Sequence, residues 1–193
     1  MYQNKKPKKY RRLRQPESNE DFLDDPNLTA HQRVMENMHE QLDWTRRQLS
    51  YISFSLEYKL AYDLKRGEVY EFDWGLNVHT ELSKRHYGVV LVDSYANNDI
   101  VIVAPLKSKH NEANPMSDVN IGFLPHLDSD RETLAVINQI RGLDKLRIYQ
   151  KGMIKDGCLN KERGPVTILS AAQMRKIIDA IHQLFIQGKT LIQ

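Results

Sequence analysis

The sequence predicts an α+β fold, in which a small, strongly curved antiparallel β-sheet or barrel is followed by a C-terminal helix and preceded by a long helix. Two observations support this prediction. Apolar residues recur with a helical period from about Thr29 to Leu64, and the period changes to two after Gly67. Five or six short β-rich runs then precede a second helical stripe that begins at Ser170. Short strands in this number favour a curved sheet or a small barrel.

In the first 28 residues, the basic and acidic side chains lie in two separate blocks. Seven of the 28 basic residues lie between positions 5 and 14, and five of the 25 acidic residues lie between positions 17 and 25. The rest of the 193-residue chain is nearly neutral, with 21 basic and 20 acidic residues, so this tail contributes +2 of the net charge of +3. Residues 1–28 are expected to be disordered because they contain little apolar surface. Two roles remain open: a solvated tail, or a polyanion-binding arm that could contact DNA.

Residues 29–64 are predicted to form a long amphipathic helix. Thr29 and Gln32 have the spacing of a capping box, and no Gly or Pro follows before Gly67. A heptad frame places these residues at successive a and d positions: Met35, Met38, Leu42, Thr45, Leu49, Ile52, Leu56 and Lys59. The stripe could dock on the following domain or form a dimerising coiled coil. Docking is favoured because Thr45 and Lys59 interrupt the d positions.

The remaining elements follow from alternation and turn chemistry. Tyr70, Phe72 and Trp74 alternate with polar neighbours, and we expect them to line the core rather than stack on bases. The further β-rich runs are residues 88–92, 100–104, 119–123, 134–140 and 165–169. The turn-rich link between the first two of these runs predicts a hairpin. Residues 152–165 are predicted to be mostly irregular, and the final helix is predicted to end before Gly188.

Composition excludes several classes of protein. No apolar stretch is long enough to cross a membrane, and no apolar segment of the secretory type follows the basic N-terminus. Cys158 is the single cysteine, which excludes a disulfide framework and a multi-cysteine zinc site and fits a reducing cytoplasm. The histidines have no metal-ligand spacing, and the general nucleotide-binding and hydrolase motifs are missing. We therefore expect a cytoplasmic protein without a metal, a cofactor or a membrane partner.

Four segments, in order along the chain, carry a family resemblance. They are KRGEVYEFDWGL at 65–76, TELSKRHYGVVLVDS at 80–94, NDIVIVAPLKSK at 98–109 and AVINQIRGLDKLRI at 135–148. Together they resemble the MazF/PemK-like toxin endoribonucleases of toxin–antitoxin systems over residues 65–187. The resemblance implies an SH3-like barrel, a homodimer, single-stranded RNA as substrate and a cognate antitoxin protein as partner. The domain prediction is a tail at 1–28, a helix at 29–64 and the barrel domain at 65–193.

The resemblance also implies a catalytic set. Members of the family cleave RNA without a metal, by attack of the ribose 2′-hydroxyl, using an arginine five residues after a glutamate and a threonine after the third strand. Glu81 matches the glutamate, His86 stands at the arginine position, and Lys107 stands at the threonine position beside Ser108. A histidine with an unperturbed pKa of about 6.5 can act as base or acid near neutral pH. A lysine can stabilise the anionic oxygens.

The catalytic set implied is therefore Glu81, His86, Lys107 and Ser108. The residues expected to bind substrate are Lys84, Arg85, Lys109 and Arg141. Structural roles are expected for Gln139, Arg141 and Asp144, and Arg141 could tie a turn down or reach the RNA groove.

Two functions from different classes remain open: an RNA-cleaving toxin, and a catalytically degenerate module that binds nucleic acid or protein through the same groove. A third hypothesis is that the N-terminal helix and tail act in place of a separate antitoxin.

Overall fold

A curled antiparallel β-sheet forms the centre of the computed structural model, which describes residues 29–57, 63–77, 81–149, 154–155, 158–159, 164–189 and 191. The predicted tail at 1–28 lies outside these residues. Helices accompany the sheet, so the fold is α+β with a half-barrel, as the sequence predicts. No helix in the described part of the chain has the length and hydropathy needed to cross a membrane.

The helices and strands have the following bounds: α1 Ala30–Glu57, β1 Glu68–Gly75, β2 Lys84–Val90, β3 Ile100–Ser108, β4 Asp118–Leu124, β5 Asp128–Val136, β6 Arg141–Asp144, β7 Ile154–Lys155, β8 Cys158–Leu159, β9 Thr167–Ile168 and α2 Ala171–Ile181. Short 3₁₀ turns at Ile137–Gln139 and Lys145–Arg147 flank β6, and a π-helical turn at His182–Ile186 continues α2. Ser170 caps α2 with both hydrogen bonds of a capping box, which confirms that prediction.

The sheet curls because β3 changes partner along its length. The strand order is β4-β5-β3-β2-β1-β9, and β6 also pairs with β3. Residues 103–105 of β3 pair with β2, whereas Leu106, Lys107 and Ser108 pair with β5. Pro105 stands where the partner changes, and a proline has no N–H to donate to a ladder. The end of β3 therefore leaves β2 and turns towards β5.

Two apolar clusters form the core. Val69, Val89, Ala104 and Ile121 pack with Ile177 of α2 in one of them. The other contains Tyr70, Phe72 and Trp74 of β1, with Val90, Val101, Val103 and their neighbours. Phe72 is 0% exposed and Trp74 is 1% exposed, so the prediction that the aromatic face of β1 belongs to the core is confirmed.

Helix α1 contacts the sheet with a face that the heptad pattern does not predict. The contacting residues are Glu40, Trp44, Arg47 and Tyr51, which follow a helical spacing. Arg47 Nε and the Tyr51 hydroxyl donate to Asp73 Oδ2 on β1 over 2.8 and 3.0 Å. Asp73 is fully buried, and a buried carboxylate requires such partners.

The predicted docking stripe of α1 faces away from the sheet. The exposed members of the stripe are Met35, Met38, Leu42, Leu49 and Ile52, and the last four are more than half exposed. The prediction that α1 docks on the sheet through this stripe is therefore wrong. The physical reason is that a buried charge on β1 requires polar partners, which lie on the other side of the helix.

Two further sequence predictions require correction. The helix predicted to reach Leu64 does not include it: the described part of α1 runs to Glu57, and Leu64 is buried and exchanges two backbone hydrogen bonds with Ser94. The strand predicted over 134–140 begins earlier and ends at Val136, because a 3₁₀ turn occupies 137–139. Within residues 152–165, which are predicted to be mostly irregular, the described residues include a short antiparallel pair formed by β7 and β8.

Candidate functional site

The loop after β1 is held by side chains from three places. Asn77 Nδ2 donates to the carbonyl oxygens of Trp74 and Leu82 over 3.1 and 2.6 Å. The Asn77 N–H donates to the Ser83 hydroxyl, and the Leu82 N–H donates to Gln139 Oε1. Gln139 therefore has the structural role that the sequence predicts. The described part of the loop that carries Glu81 is a supported turn at the start of β2.

The start of β2 presents two predicted substrate-binding residues. Lys84 has a φ of 66°, an unusual left-handed conformation for a lysine, next to a bulge in the β1–β2 pairing. Its Nζ lies 2.8 Å from Glu40 Oε1 of α1. The Arg85 guanidinium lies 3.4 Å from the centroid of the Tyr149 ring. Both cations are thus placed at the edge where α1 meets the β1–β2 hairpin.

His86 is half-buried in β2, opposite Phe72 of β1. Its carbonyl oxygen accepts a hydrogen bond from Trp74 Nε1 over 3.1 Å. The backbone at His86 is therefore held against β1, where Phe72 and Trp74 belong to the buried core. A fixed backbone with a partly accessible ring suits a group that transfers protons.

Lys107 and Ser108 at the end of β3, and Lys109 directly after it, are further residues predicted for the site. Each of these three side chains has an acidic partner. Lys107 Nζ lies 3.0 Å from Asp118 Oδ2, whose side chain is 2% exposed. Ser108 hydrogen-bonds Asp128 and thereby lowers the pKa of that carboxyl group. Lys109 Nζ lies 2.9 Å from Glu132 Oε2. The sequence contains no signal for these partners, since they lie on β4 and β5.

His86 and Lys107 occupy related positions in the sheet. The last β2–β3 pair at this end joins Gly88 to Pro105. His86 is two residues before Gly88, and Lys107 is two residues after Pro105. The two residues therefore flank the point at which β2 and β3 separate, which opens the sheet between them.

Arg141 lies in β6, across the first loop from Glu81. Its Nη2 donates to the Trp74 carbonyl oxygen over 2.6 Å, and its guanidinium lies 4.8 Å from the centroid of the Trp74 ring. Burial lowers the pKa of Arg141, the neighbouring charge of Arg147 lowers it further, and the Glu81 carboxylate opposes both effects. Arg141 thus connects the loop of Glu81 to the end of β1.

The part of the chain that the structure describes contains no cluster of three His, Cys, Asp or Glu side chains that could hold a metal ion. Sequence reasoning missed Arg147 and Trp44, which lie beside Arg141. The repeated basic residues in LDKLR could have drawn attention to Arg147, whereas Trp44 is not on the predicted apolar stripe.

The fold and these groups define a class of small α+β protein in which a curled antiparallel sheet carries polar residues where two strands separate. The chain belongs to the PemK-like, MazF-like toxin family of type II toxin–antitoxin systems, whose model matches residues 65–185. Helix α1 precedes the matched region. No curated protein matches the chain.

Proposed function

We propose that this protein is the toxin of a type II toxin–antitoxin pair and cleaves single-stranded RNA without a metal. Membership of the toxin family over residues 65–185 carries the proposal. The positions of His86 and Lys107, on either side of the opening between β2 and β3, support it. In this proposal residues 65–193 form an SH3-like barrel domain, preceded by a segment at 29–64 that contains α1 and by a tail at 1–28.

The reaction is an intramolecular phosphoryl transfer. The 2′-oxygen forms a bond to the neighbouring phosphorus, and the bond from phosphorus to the 5′-oxygen breaks. The 2′-proton passes to a base, and an acid protonates the departing 5′-oxygen. The products are a 2′,3′-cyclic phosphate and a 5′-hydroxyl, so no oxidant, reductant or added water is required.

His86 is proposed as the group that moves a proton, with the Glu81 carboxylate as the second member of the pair. Lys107 and Ser108 would stabilise the charge that develops on the phosphorane oxygens. Lys84, Arg85, Lys109 and Arg141 would hold the RNA backbone through their positive charges. The role proposed for Arg85 is supported by its stacking on Tyr149, because this contact orders the guanidinium before substrate binds.

One observation favours a second candidate function. Lys107 and Lys109 already pair with Asp118 and Glu132, and Ser108 hydrogen-bonds Asp128. These acidic partners reduce the positive charge available to a phosphorane. A module that binds nucleic acid or protein without cleaving RNA would need no such charge.

Three partners belong to the proposal. A cognate antitoxin would cover the groove, and a second copy of the chain would complete it as a homodimer. The basic residues at 5–14 would add contacts to nucleic acid, including DNA. A cytoplasmic location agrees with these partners. A monomer at micromolar concentration in light scattering would contradict the shared groove.

The direct test is a cleavage assay with single-stranded RNA in the presence of EDTA. The expected products carry a cyclic phosphate at one end and a 5′-hydroxyl at the other, and mass spectrometry identifies both. Binding without cleavage would favour the second candidate function. Cleavage that stops when EDTA is added would contradict the metal-independent reaction.

A further inference from the structure

A pocket of about 380 Å³ lies between α1 and the sheet. Its lining includes Trp44 and Gln48 of α1, Trp74 of β1, Asn77, Arg141 of β6 and Arg147. Because α1 lies outside the region that matches the toxin family, the pocket depends on a part of the chain that the family does not explain.

Two guanidinium groups provide the positive charge of the pocket. Arg141 Nη2 donates to the Trp74 carbonyl oxygen over 2.6 Å, and Arg147 Nη1 lies 3.5 Å from the Asp73 carbonyl oxygen. A carbonyl oxygen orients a guanidinium without neutralising its charge. Arg141 Nε is buried and has no hydrogen-bond partner among the described residues. A buried donor in this state is costly, and an anion in the pocket would satisfy it.

Burial and mutual repulsion both act on Arg141. Removal of the guanidinium from water lowers its pKa, and the charge of Arg147 lowers it further, against the opposing effect of Glu81. An added negative charge would relieve both costs. Asp144 is the carboxylate among the described lining residues, and its Oδ1 accepts from the Leu146 N–H over 2.8 Å. That carboxylate is already engaged in capping the 3₁₀ turn.

Trp44 connects α1 to Arg147. The centroid of its ring lies 5.3 Å from Arg147 Cζ and 5.6 Å from Arg47 Cζ. Arg47 is paired with the buried Asp73 over 2.8 Å, so Arg147 remains as the cation on the pocket side. Trp44 is 8% exposed, and a Cβ built on Gly75 would lie 2.7 Å from its Cζ2 atom. This close packing fixes the ring, and the ring in turn positions Arg147.

We propose that this pocket binds a backbone phosphate of single-stranded RNA, with Arg141 and Arg147 as ligands and Trp44 as the residue that positions Arg147. The substrate class rests on the proposed function. Two planar guanidinium groups suit the oxygens of a phosphate, which accept paired hydrogen bonds. Phosphate contacts fix the register of a nucleic acid without reading its sequence. The pocket would therefore extend the RNA path from the β2–β3 opening towards α1.

The test measures the affinity of the full chain for a 2′-O-methyl oligoribonucleotide, which cannot be cleaved by 2′-hydroxyl attack. Arg147→Gln and Arg141→Gln should each weaken binding about tenfold, since a hydrogen bond to a charged group is lost. Each should also reduce the slope of log affinity against log salt by about 0.7. Arg46→Gln is the matched control, because Arg46 lies on α1 with its side chain 81% exposed. The control removes the same charge and should bind like the wild type.

Arg147→Lys separates charge from structure. It keeps the positive charge but loses the planar group that packs on Trp44, so it should retain the salt slope while binding more weakly than the wild type. Thermal melts of all four variants check that each is folded. An Arg147→Gln protein that is folded and binds like Arg46→Gln would overturn the proposal.

The remaining outcomes separate the pocket from the cleavage reaction. If the wild type cleaves unmodified RNA while Arg147→Gln binds the analogue like the control, the pocket proposal fails alone. If the wild type cleaves nothing but binding depends on Arg147, the pocket proposal stands and the cleavage proposal fails. If the wild type does not bind the analogue, the pocket proposal is overturned. A peptide with the acidic sequence of residues 17–25 tests whether the pocket binds an acidic protein segment instead of RNA. If Arg147→Gln loses binding of this peptide but still binds the RNA analogue like the control, the pocket proposal is also overturned.

Discussion

Lys107 Nζ lies 3.0 Å from Oδ2 of Asp118, a carboxylate that is 2% exposed. Asp118 also accepts from the Asn114 N–H and the Ser117 hydroxyl, so it is held on several sides. Lys107 therefore stabilises the fold, and it stands where the family resemblance implies a catalytic threonine. The pair ties β3 to β4 at the opening of the sheet.

We expect Lys107→Met to lower the free energy of unfolding by about 1 to 3 kcal/mol, because it leaves a buried carboxylate without its cation. Lys109→Met is the matched control, since its partner Glu132 has a side chain that is 34% exposed. An exposed pair contributes about 1 kcal/mol or less. Urea denaturation of both variants measures the difference. Equal losses would show that the burial of Asp118 does not set the strength of the Lys107 pair.

His86→Ala should lower the rate of RNA cleavage by about 10²-fold or more, which is the usual scale for loss of a positioned acid or base. Affinity for an uncleavable RNA analogue should change little, because His86 is proposed to move protons rather than to hold phosphates. His126→Ala, at an exposed position between β4 and β5, is the control. A His86→Ala protein as active as the control would remove His86 from the mechanism.

The orientation of α1 predicts opposite results for two substitutions on the same helix. Leu49→Asp should change the free energy of unfolding by no more than about 0.5 kcal/mol, because Leu49 is 59% exposed. Trp44→Ala should cost about 3 kcal/mol of the free energy that holds α1 on the sheet, since a buried aromatic ring is lost. Hydrogen exchange of the α1 amides and thermal melts measure the two effects. A large loss from Leu49→Asp would mean that another molecule or segment covers the apolar stripe.

Acid should weaken the contact between β4 and β5. Hydrogen bonds from Lys109 and then Asn120 lower the pKa of Glu132 in the folded protein. A carboxyl group with a lowered folded pKa contributes stability above its unfolded pKa, about 4.3, and loses it as the pH falls through the folded value. Glu132→Gln should therefore show a smaller loss of melting temperature than the wild type between about pH 5 and pH 3. Glu112→Gln, at an exposed loop position, should behave like the wild type.

Local patterns in the sequence identified most of the elements around the site. The alternation of Tyr70, Phe72 and Trp74 predicts β1, and the capping box at Ser170 predicts the start of α2. Period and caps act over a few residues, so these features can be read without knowledge of the fold. The family blocks likewise predict that His86 and Lys107 lie on consecutive strands, and the structure places them on β2 and β3, which pair.

Tertiary structure alone decided which face of α1 contacts the sheet and which charges meet at the site. The heptad pattern favours the stripe through Leu42 and Leu49, but Arg47 and Asp73, 26 residues apart, determine the packing. The physical reason is that an amphipathic period reports where apolar side chains lie on one helix and carries no information about a distant buried carboxylate. The partner of Lys107 was hidden for the same reason, because β3 approaches β4 and β5 only after it leaves β2 at Pro105.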